Sequence, residues 1–465
     1  MTTGAITPKL TSLAWPLVAG NLLQTFYNLA DMFWVGRVSP EAVAAVSLMF
    51  PTSWMFVSVA MGLTAASVAL VSQHVGAGND READNVVAQT LMITVAAGLT
   101  LATIGFTFRE PLVTLVGARG QVYTDALAYI EVLFVAIPFT FLFFVFRAVL
   151  RGAGDTKTAM WLMVFSAGLN VILDPFFILG WGPFPEWGTR GAAVATLISR
   201  VLVALLGVAI LLKGDWGVKL RLEDLRPDWP VMKKLVSIGY PATIDGAARS
   251  FAAVAMAALV ARFGPIPTAA YGVGVRLMSV SWTVSGAVGQ AAATGVGQNL
   301  GANTPDRAAE VTWKATAGTM VVLFGAGALM FAFPAQAMRI FIDDPGVVAE
   351  GVVFLRIIGP FLAFFGGLMV VQGGFRGAGD TLVAMALSFL SRWVLRIPLA
   401  VLLAYQGTVA FAGVSISGLG WGVTGLWWSW SASAIGSFVV GVLWFRLGRW
   451  REGVVEKESK PTTAD

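Results

Sequence analysis

Apolar residues run along this chain in long stretches, broken at intervals by short turns rich in Gly, Pro, Asp and Arg. A helix needs roughly 20 such residues to cross the hydrocarbon of a bilayer. The pattern predicts twelve helices. In the first half they fall at 10–35, 42–72, 86–108, 123–150, 158–179 and 189–212. In the second half they fall at 231–262, 268–300, 308–333, 347–375, 382–405 and 423–447. Several exceed the crossing length, so tilt or extension beyond the bilayer is expected.

The most charged internal stretch lies between the halves. It holds Lys213, Lys219, Arg221, Arg226, Lys233 and Lys234 beside Asp215, Glu223, Asp224 and Asp228. This divides the chain into a first lobe at 1–212, a linker at 213–234, a second lobe at 235–448 and a charged tail at 449–465, expected to be disordered. Six helices per half is an even number, so both halves enter the membrane in the same direction. The expected fold is an all-α integral membrane protein, with two six-helix lobes related by a pseudo-twofold axis along the membrane normal.

A repeat supports that division. Arg-Gly-Ala-Gly-Asp-Thr begins at Arg151 and again at Arg376, an offset of 225 residues. Gln73 and Gln298 share this offset, as do Pro16 and Pro241. Three anchors at one spacing mark a duplicated unit. The hexapeptide itself could suggest phosphate binding, but no strand precedes it and no Gly-Lys-Ser/Thr follows. A structural turn fits better. The Arg suits a helix C-terminus, the glycines permit a left-handed turn, and Asp or Thr can cap the next helix.

Composition sharpens the class. The chain is 57% hydrophobic and only 12% charged, against about 25% charged in soluble domains. No cysteine is present, which excludes disulfides and thiol chemistry, and the single histidine, His74, rules out a histidine-rich metal site. The first apolar stretch carries Asp31 and is too long for a cleavable signal. The net charge of +5 does not point to nucleic acid. Basic residues concentrate at the N-terminus, the linker, the loops after even-numbered helices and the tail. The opposite loops hold Arg37, Arg109, Arg119, Arg190, Arg262 and Arg339. This asymmetry predicts cytoplasmic termini on a multi-pass protein of the cell membrane. The expected partners are the lipid bilayer and small molecules, with no nucleic acid and no cofactor, and the chain is expected to be a monomer.

Candidate chemistry starts in the first helix. Gln24, Tyr27, Asn28 and Asp31 recur at helical spacing and form one polar stripe. A carboxylate at that depth costs about 2.5–3.5 kcal/mol unless it is paired, protonated or hydrated. Such acids point to ion or proton sites, and the alternative is an Asp hydrogen-bonded to a neighbouring helix. In the fifth helix Asn170 and Asp174 share a face, and Pro175 frees a backbone carbonyl. If both helices face one cavity, Asp31 and Asp174 could share a proton or a hard cation such as sodium. Alternatively, Asp174 marks a helix end near the outer interface.

Pro16 lies about four turns before Asp31. It is expected to bend the helix, and protonation of Asp31 could change that bend and shut a cavity. Glu131 and Arg200 could pair with each other or with the Asp31 cluster. Asp245 and Arg249, at i and i+4, are expected to neutralise one another. Arg276, Arg356, Arg392 and Arg396 have no obvious acids. They either snorkel or line a wet cavity that attracts anions. Trp427, Trp428 and Trp430 read as an interfacial belt.

At these residues the chain resembles the multidrug and toxic compound extrusion (MATE) family. The resemblance rests on the segment from Trp15-Pro16 to Asp31, the twice-used hexapeptide, Asn170-x-x-x-Asp174-Pro175 and Gly191-Ala-Ala-x-Ala-Thr196. It implies a V-shaped pair of lobes working by alternating access. It further implies export of amphipathic, often cationic compounds in antiport with H+ or Na+. The residues matching the family's first-lobe site are Asp31, Asn170, Asp174 and Thr196, with Tyr27 adjacent; these would hold the proton or Na+. Some members use acids in the seventh and eighth helices. Here the seventh has Asp245 beside Arg249, and the eighth has none. The 225-residue register places Met256, Leu395 and Leu399 opposite Asp31, Asn170 and Asp174, so the acids belong to the first half. The alternative is a flippase for lipid-linked oligosaccharides or polysaccharide precursors in the same superfamily, which the second-half arginines favour. No zinc-ligand cluster, nucleophile–base pair or nucleotide loop supports an enzyme.

Overall fold

Twelve long helical segments form two lobes in a computed structural model that describes residues 1–411 and 414–455. The first lobe contains α1 Ile6–Val35, α2 Pro40–Ala77, α3 Asp80–Thr107, α4 Gly120–Ala153, α5 Thr156–Ile178 and α6 Gly188–Lys213. The second contains α7 Trp229–Ala261, α8 Pro265–Gly301, α9 Pro305–Ala332, α10 Pro345–Ala378, α11 Thr381–Ala404 and α12 Val423–Arg446. Ten are long and apolar enough to cross a membrane. The other two, α1 and α8, have the length but a more polar composition.

Some features escape periodicity. Short helices Arg109–Leu115 and Pro334–Arg339 precede α4 and α10 at starting points 225 residues apart. Inside α10 a 3-10 turn, Gly359–Phe361, interrupts the α-helical pattern, and α11 widens into π-helical turns over Leu390–Arg396. Between α11 and α12 an antiparallel hairpin pairs Gln406–Phe411 with Val414–Leu419. It occupies the Gly-rich stretch where no helix was expected.

Both hexapeptides form the predicted turn. Gly154 and Gly379 adopt left-handed φ of 98° and 87°. Asp155 accepts from the Thr158 amide at 2.9 Å, and Asp380 from the Val383 amide at 3.3 Å. Each aspartate thereby caps the helix that follows.

The repeat anchors also join the lobes. Gln73, near the end of α2, donates from Nε2 to the Gly377 carbonyl at 3.1 Å. Its counterpart Gln298, near the end of α8, donates to the Gly152 carbonyl at 3.2 Å. Gly152 and Gly377 are the equivalent glycines of the two hexapeptides. Arg151 adds a bond to Gln290 of α8. Below Leu17, α1 packs its Leu10, Leu13 and Ala14 among Ala287, Ala291 and Val296 of α8. Further along, Ser58 of α2 meets Gly246 of α7. These interlobe contacts run from the end of the bundle that carries the termini to about its middle.

The linker is not free chain. Asp84 of α3 accepts from the Lys219 amide at 2.7 Å and from Arg221 Nε at 2.9 Å. Gln89 bonds the carbonyls of Asp224 and Arg226. The tail expected to be disordered from Arg449 is ordered as far as Val455. Trp450 stacks on Phe445 at 4.3 Å, and Gln73 Oε1 accepts from the Val454 and Val455 amides at 2.8 and 3.1 Å. Residues 456–465 lie outside the described part.

The tryptophan belt needs correction. Trp427 is fully buried, Trp430 is 6% exposed, and only Trp428 faces outward. Trp427 donates to Glu350 Oε1 at 2.8 Å and stacks with Tyr271. Their face of α12 is core because it packs against α8 and α10.

Candidate functional site

Three residues of the first-helix stripe, Tyr27, Asn28 and Asp31, face one cavity of about 170 Å³ inside the first lobe. Its walls come from α1, α2, α4 and α6. Most are apolar, including Trp54, Phe56, Leu133 and Phe134. The charged groups on the wall are Asp31 and Arg200. Asp31 Oδ1 is buried and has no hydrogen-bond partner among the described residues. Arg200 donates to Ser166 Oγ at 2.9 Å and lies 3.9 Å over the ring of Phe143. Arg147 lies 5.3 Å from the same ring.

A second layer sits behind Tyr27. Its hydroxyl is 3.3 Å from Thr196 Oγ1. Asn170 bridges onward. With its amide nitrogen toward Asp174, it donates to Oδ2 at 3.2 Å and accepts from the Thr196 amide at 3.1 Å and hydroxyl at 3.3 Å. Asp174 is fully buried, one turn before the end of α5 at Ile178. It lies off the wall of the Asp31 cavity and connects to it through Asn170, Thr196 and Tyr27.

The structure brings together Asp31, Tyr27, Asn28, Thr196 and Arg200 on one wall, with Asn170 and Asp174 behind. Gln24 is not on that wall; it donates to Asn28 Oδ1 at 3.2 Å. Glu131 does not join the cluster and does not pair with Arg200. Arg109, at the start of the short helix before α4, takes it at 2.7 Å, and both are partly exposed. The sequence placed Arg109 in a loop, and the short helix that brings it to Glu131 is invisible to periodicity. Asp245 is paired with Arg249 as expected, but Arg376 of the second hexapeptide reaches the same oxygen, both at 3.3 Å. Pro16 is buried in α1, which continues through it without a break.

Sequence reasoning passed over Arg147, Trp54 and Tyr129. Arg147 is 8% exposed and was visible in principle as a charge inside a predicted span. Trp54 and Tyr129 line the cavity but look like any aromatic of an apolar helix.

Size decides what the cavity can take. Ligand pockets for drug-sized molecules are about 300–1,000 Å³. A water occupies about 30 Å³, so this cavity suits an ion with a few waters.

The comparisons agree with this architecture. The MatE family model matches residues 16–176 and 241–402, two blocks whose starts reproduce the 225-residue register. A probable multidrug resistance protein, YoeA, from Bacillus subtilis is 30% identical over 409 residues, covering 86% of this chain and 87% of its own length. A probable multidrug resistance protein, NorM, from Thermotoga maritima is 27% identical over 451 residues, covering 97% and 94%. A solved transporter of the MOP superfamily from Pyrococcus furiosus superposes with a TM-score of 0.86 at 25% identity, covering 96% of each chain.

Proposed function

The chain belongs to the MATE family, and on that premise we propose that it exports amphipathic, often cationic compounds in antiport with H+ or Na+. The observation that carries this reading is Asp31. Its carboxylate has a buried, unpartnered oxygen in a cavity sized for an ion and water. A proton or Na+ satisfies that oxygen.

Coupling follows from charge. Ionised, Asp31 attracts a cationic substrate toward the first lobe; neutralised, it loses that attraction. An ion and a cationic substrate thus compete for one negative charge, and binding of one favours release of the other. The substrate is placed beside this cavity, between the lobes. Asn170 extends the ion site. With its nitrogen toward Asp174 it suits an ionised carboxylate. Reversed, its oxygen would face Asp174, which requires a proton there. The basic termini and linker face the cytoplasm, so the joined halves of the lobes form the cytoplasmic closure.

The test is efflux from proteoliposomes under an imposed pH or sodium gradient. Wild type should accumulate or expel a fluorescent cation according to the gradient, and Asp31→Asn should reduce this to passive leakage. Intact gradient-driven efflux in Asp31→Asn would remove Asp31 as the coupling group. Running each gradient without the other ion separates H+ from Na+.

A further inference from the structure

The second lobe holds an excess of buried positive charge that the first-lobe ion site does not use. Asp245 of α7 pairs with Arg249 and Arg376, both at 3.3 Å to one oxygen. Arg392 stands beside this group and bonds Ser388. One turn further, Arg396 is only 6% exposed and lies 3.8 Å over the Trp430 ring. Its Nε donates to Ser433 Oγ at 3.2 Å, while its buried Nη2 has no partner among the described residues. Three guanidinium groups thus face one carboxylate, and a fourth, that of Arg396, stands beside Arg392. Neither Arg392 nor Arg396 has an ion pair among the described residues.

The backbone is unusual at the same place. The π-helical turns of α11 run from Leu390 to Arg396 and contain both arginines. Such turns widen a helix and recur at functional sites, because they re-aim side chains that an α-helix would stack. Trp393, between the arginines, donates to the Ala248 carbonyl of α7 at 3.2 Å and ties the widened segment to the Asp245 helix.

The cluster is reachable. The lobes touch where Gly246 meets Ser58. Arg249 lies three residues on, on the same face of α7, and its side chain is 35% exposed. It stands just beyond this interlobe contact. A charge cluster with one end there and a buried, unpartnered N–H at the other is built to receive an acceptor.

From this juxtaposition we propose that Arg249, Arg392 and Arg396, with Arg376 behind them, form a site for the phosphate of an amphipathic anion. Phosphate fits because the excess is more than one positive charge and because guanidinium donors match its oxygens in forked geometry. The phosphate can belong to a soluble compound in transit or to a lipid headgroup entering between the lobes. This site goes beyond the export reading and does not rest on it.

The test is calorimetric titration of the purified full chain with inorganic pyrophosphate. Binding should be seen in wild type and should weaken at least about tenfold in Arg392→Gln and in Arg396→Gln. Arg396→Lys keeps the charge without the fork and should fall between; it also guards against simple misfolding. No pyrophosphate binding, or equal affinity in all four proteins, overturns the site. Repeating the titration in nanodiscs with and without phosphatidylglycerol identifies the source. Competition by the anionic lipid assigns the site to a headgroup; unchanged affinity assigns it to a soluble phosphate. Either result supports the phosphate site.

Discussion

Phe143 is the residue on which two buried arginines depend. Arg147 and Arg200 lie over its ring, which is itself fully buried. A cation over an aromatic face gains up to about 2 kcal/mol when desolvated. Phe143→Ala removes that contact for both and leaves a hole, so it should cost about 3–5 kcal/mol. A large drop in the melting temperature of the purified protein is expected, and a drop no larger than that of a surface Phe→Ala control would show that the arginines are held elsewhere. Glu131 makes the opposite case. Its pair with Arg109 is partly exposed and worth about 0–1 kcal/mol. Glu131→Gln should therefore leave gradient-driven efflux near the wild-type rate, and collapse of coupling would return Glu131 to the ion site.

Among elements, the contact between α2 and α8 repays most study. From it each helix also reaches the hexapeptide of the opposite lobe, Gln73 bonding Gly377 at the end of α10 and Gln298 bonding Gly152 at the end of α4. Glycine lets the backbones come that close. A Cβ on Gly76 would sit 2.0 Å from the Gln298 carbonyl, and one on Gly301 1.8 Å from the Gln73 carbonyl. Even alanine must push the helices apart. Ser72 is fully buried at this seam, against Gly297. In a chain without cysteine, a single Ser72→Cys reports its opening. Maleimide should label it slowly, and at least about tenfold faster when Gly301→Ala is added, because buried sites react only on opening. Equal rates would mean that the seam does not depend on glycine. The hexapeptides earn their duplication here, as turns whose glycine carbonyls are the acceptors of the interlobe bonds.

At the scale of the molecule, the proposed export requires the lobes to part where they now meet. The Ser58–Gly246 contact joins α2 to α7, and a Cβ built on Gly246 lies 2.9 Å from that of Ser58. Disulfides span about 3.5–4.5 Å between Cβ atoms, so a small separation admits a bond. Oxidised Ser58→Cys/Gly246→Cys should block export, and reductant should restore it. Unimpaired export by the cross-linked protein would exclude lobe separation at this point.

Much of this was legible in the sequence. Apolar runs, hydrophobic by necessity in a bilayer, determined the twelve helices, and the 225-residue repeat determined their division into two lobes. The Gln24–Asp31 stripe and the Asn170–Asp174 pair stood out because polar groups in a bilayer are costly and therefore conspicuous. Tertiary structure decided which of them meet. It put Thr196 between Tyr27 and Asn170, sent Glu131 to Arg109, and buried Trp427 and Trp430 in a lobe core. It also showed that Gln73 and Gln298, identified as markers of a repeat, hold the halves together. Helical periodicity reports which face of a helix is polar. It does not report which neighbour that face meets, because a bilayer span is apolar toward lipid and toward other helices alike, and only packing separates the two.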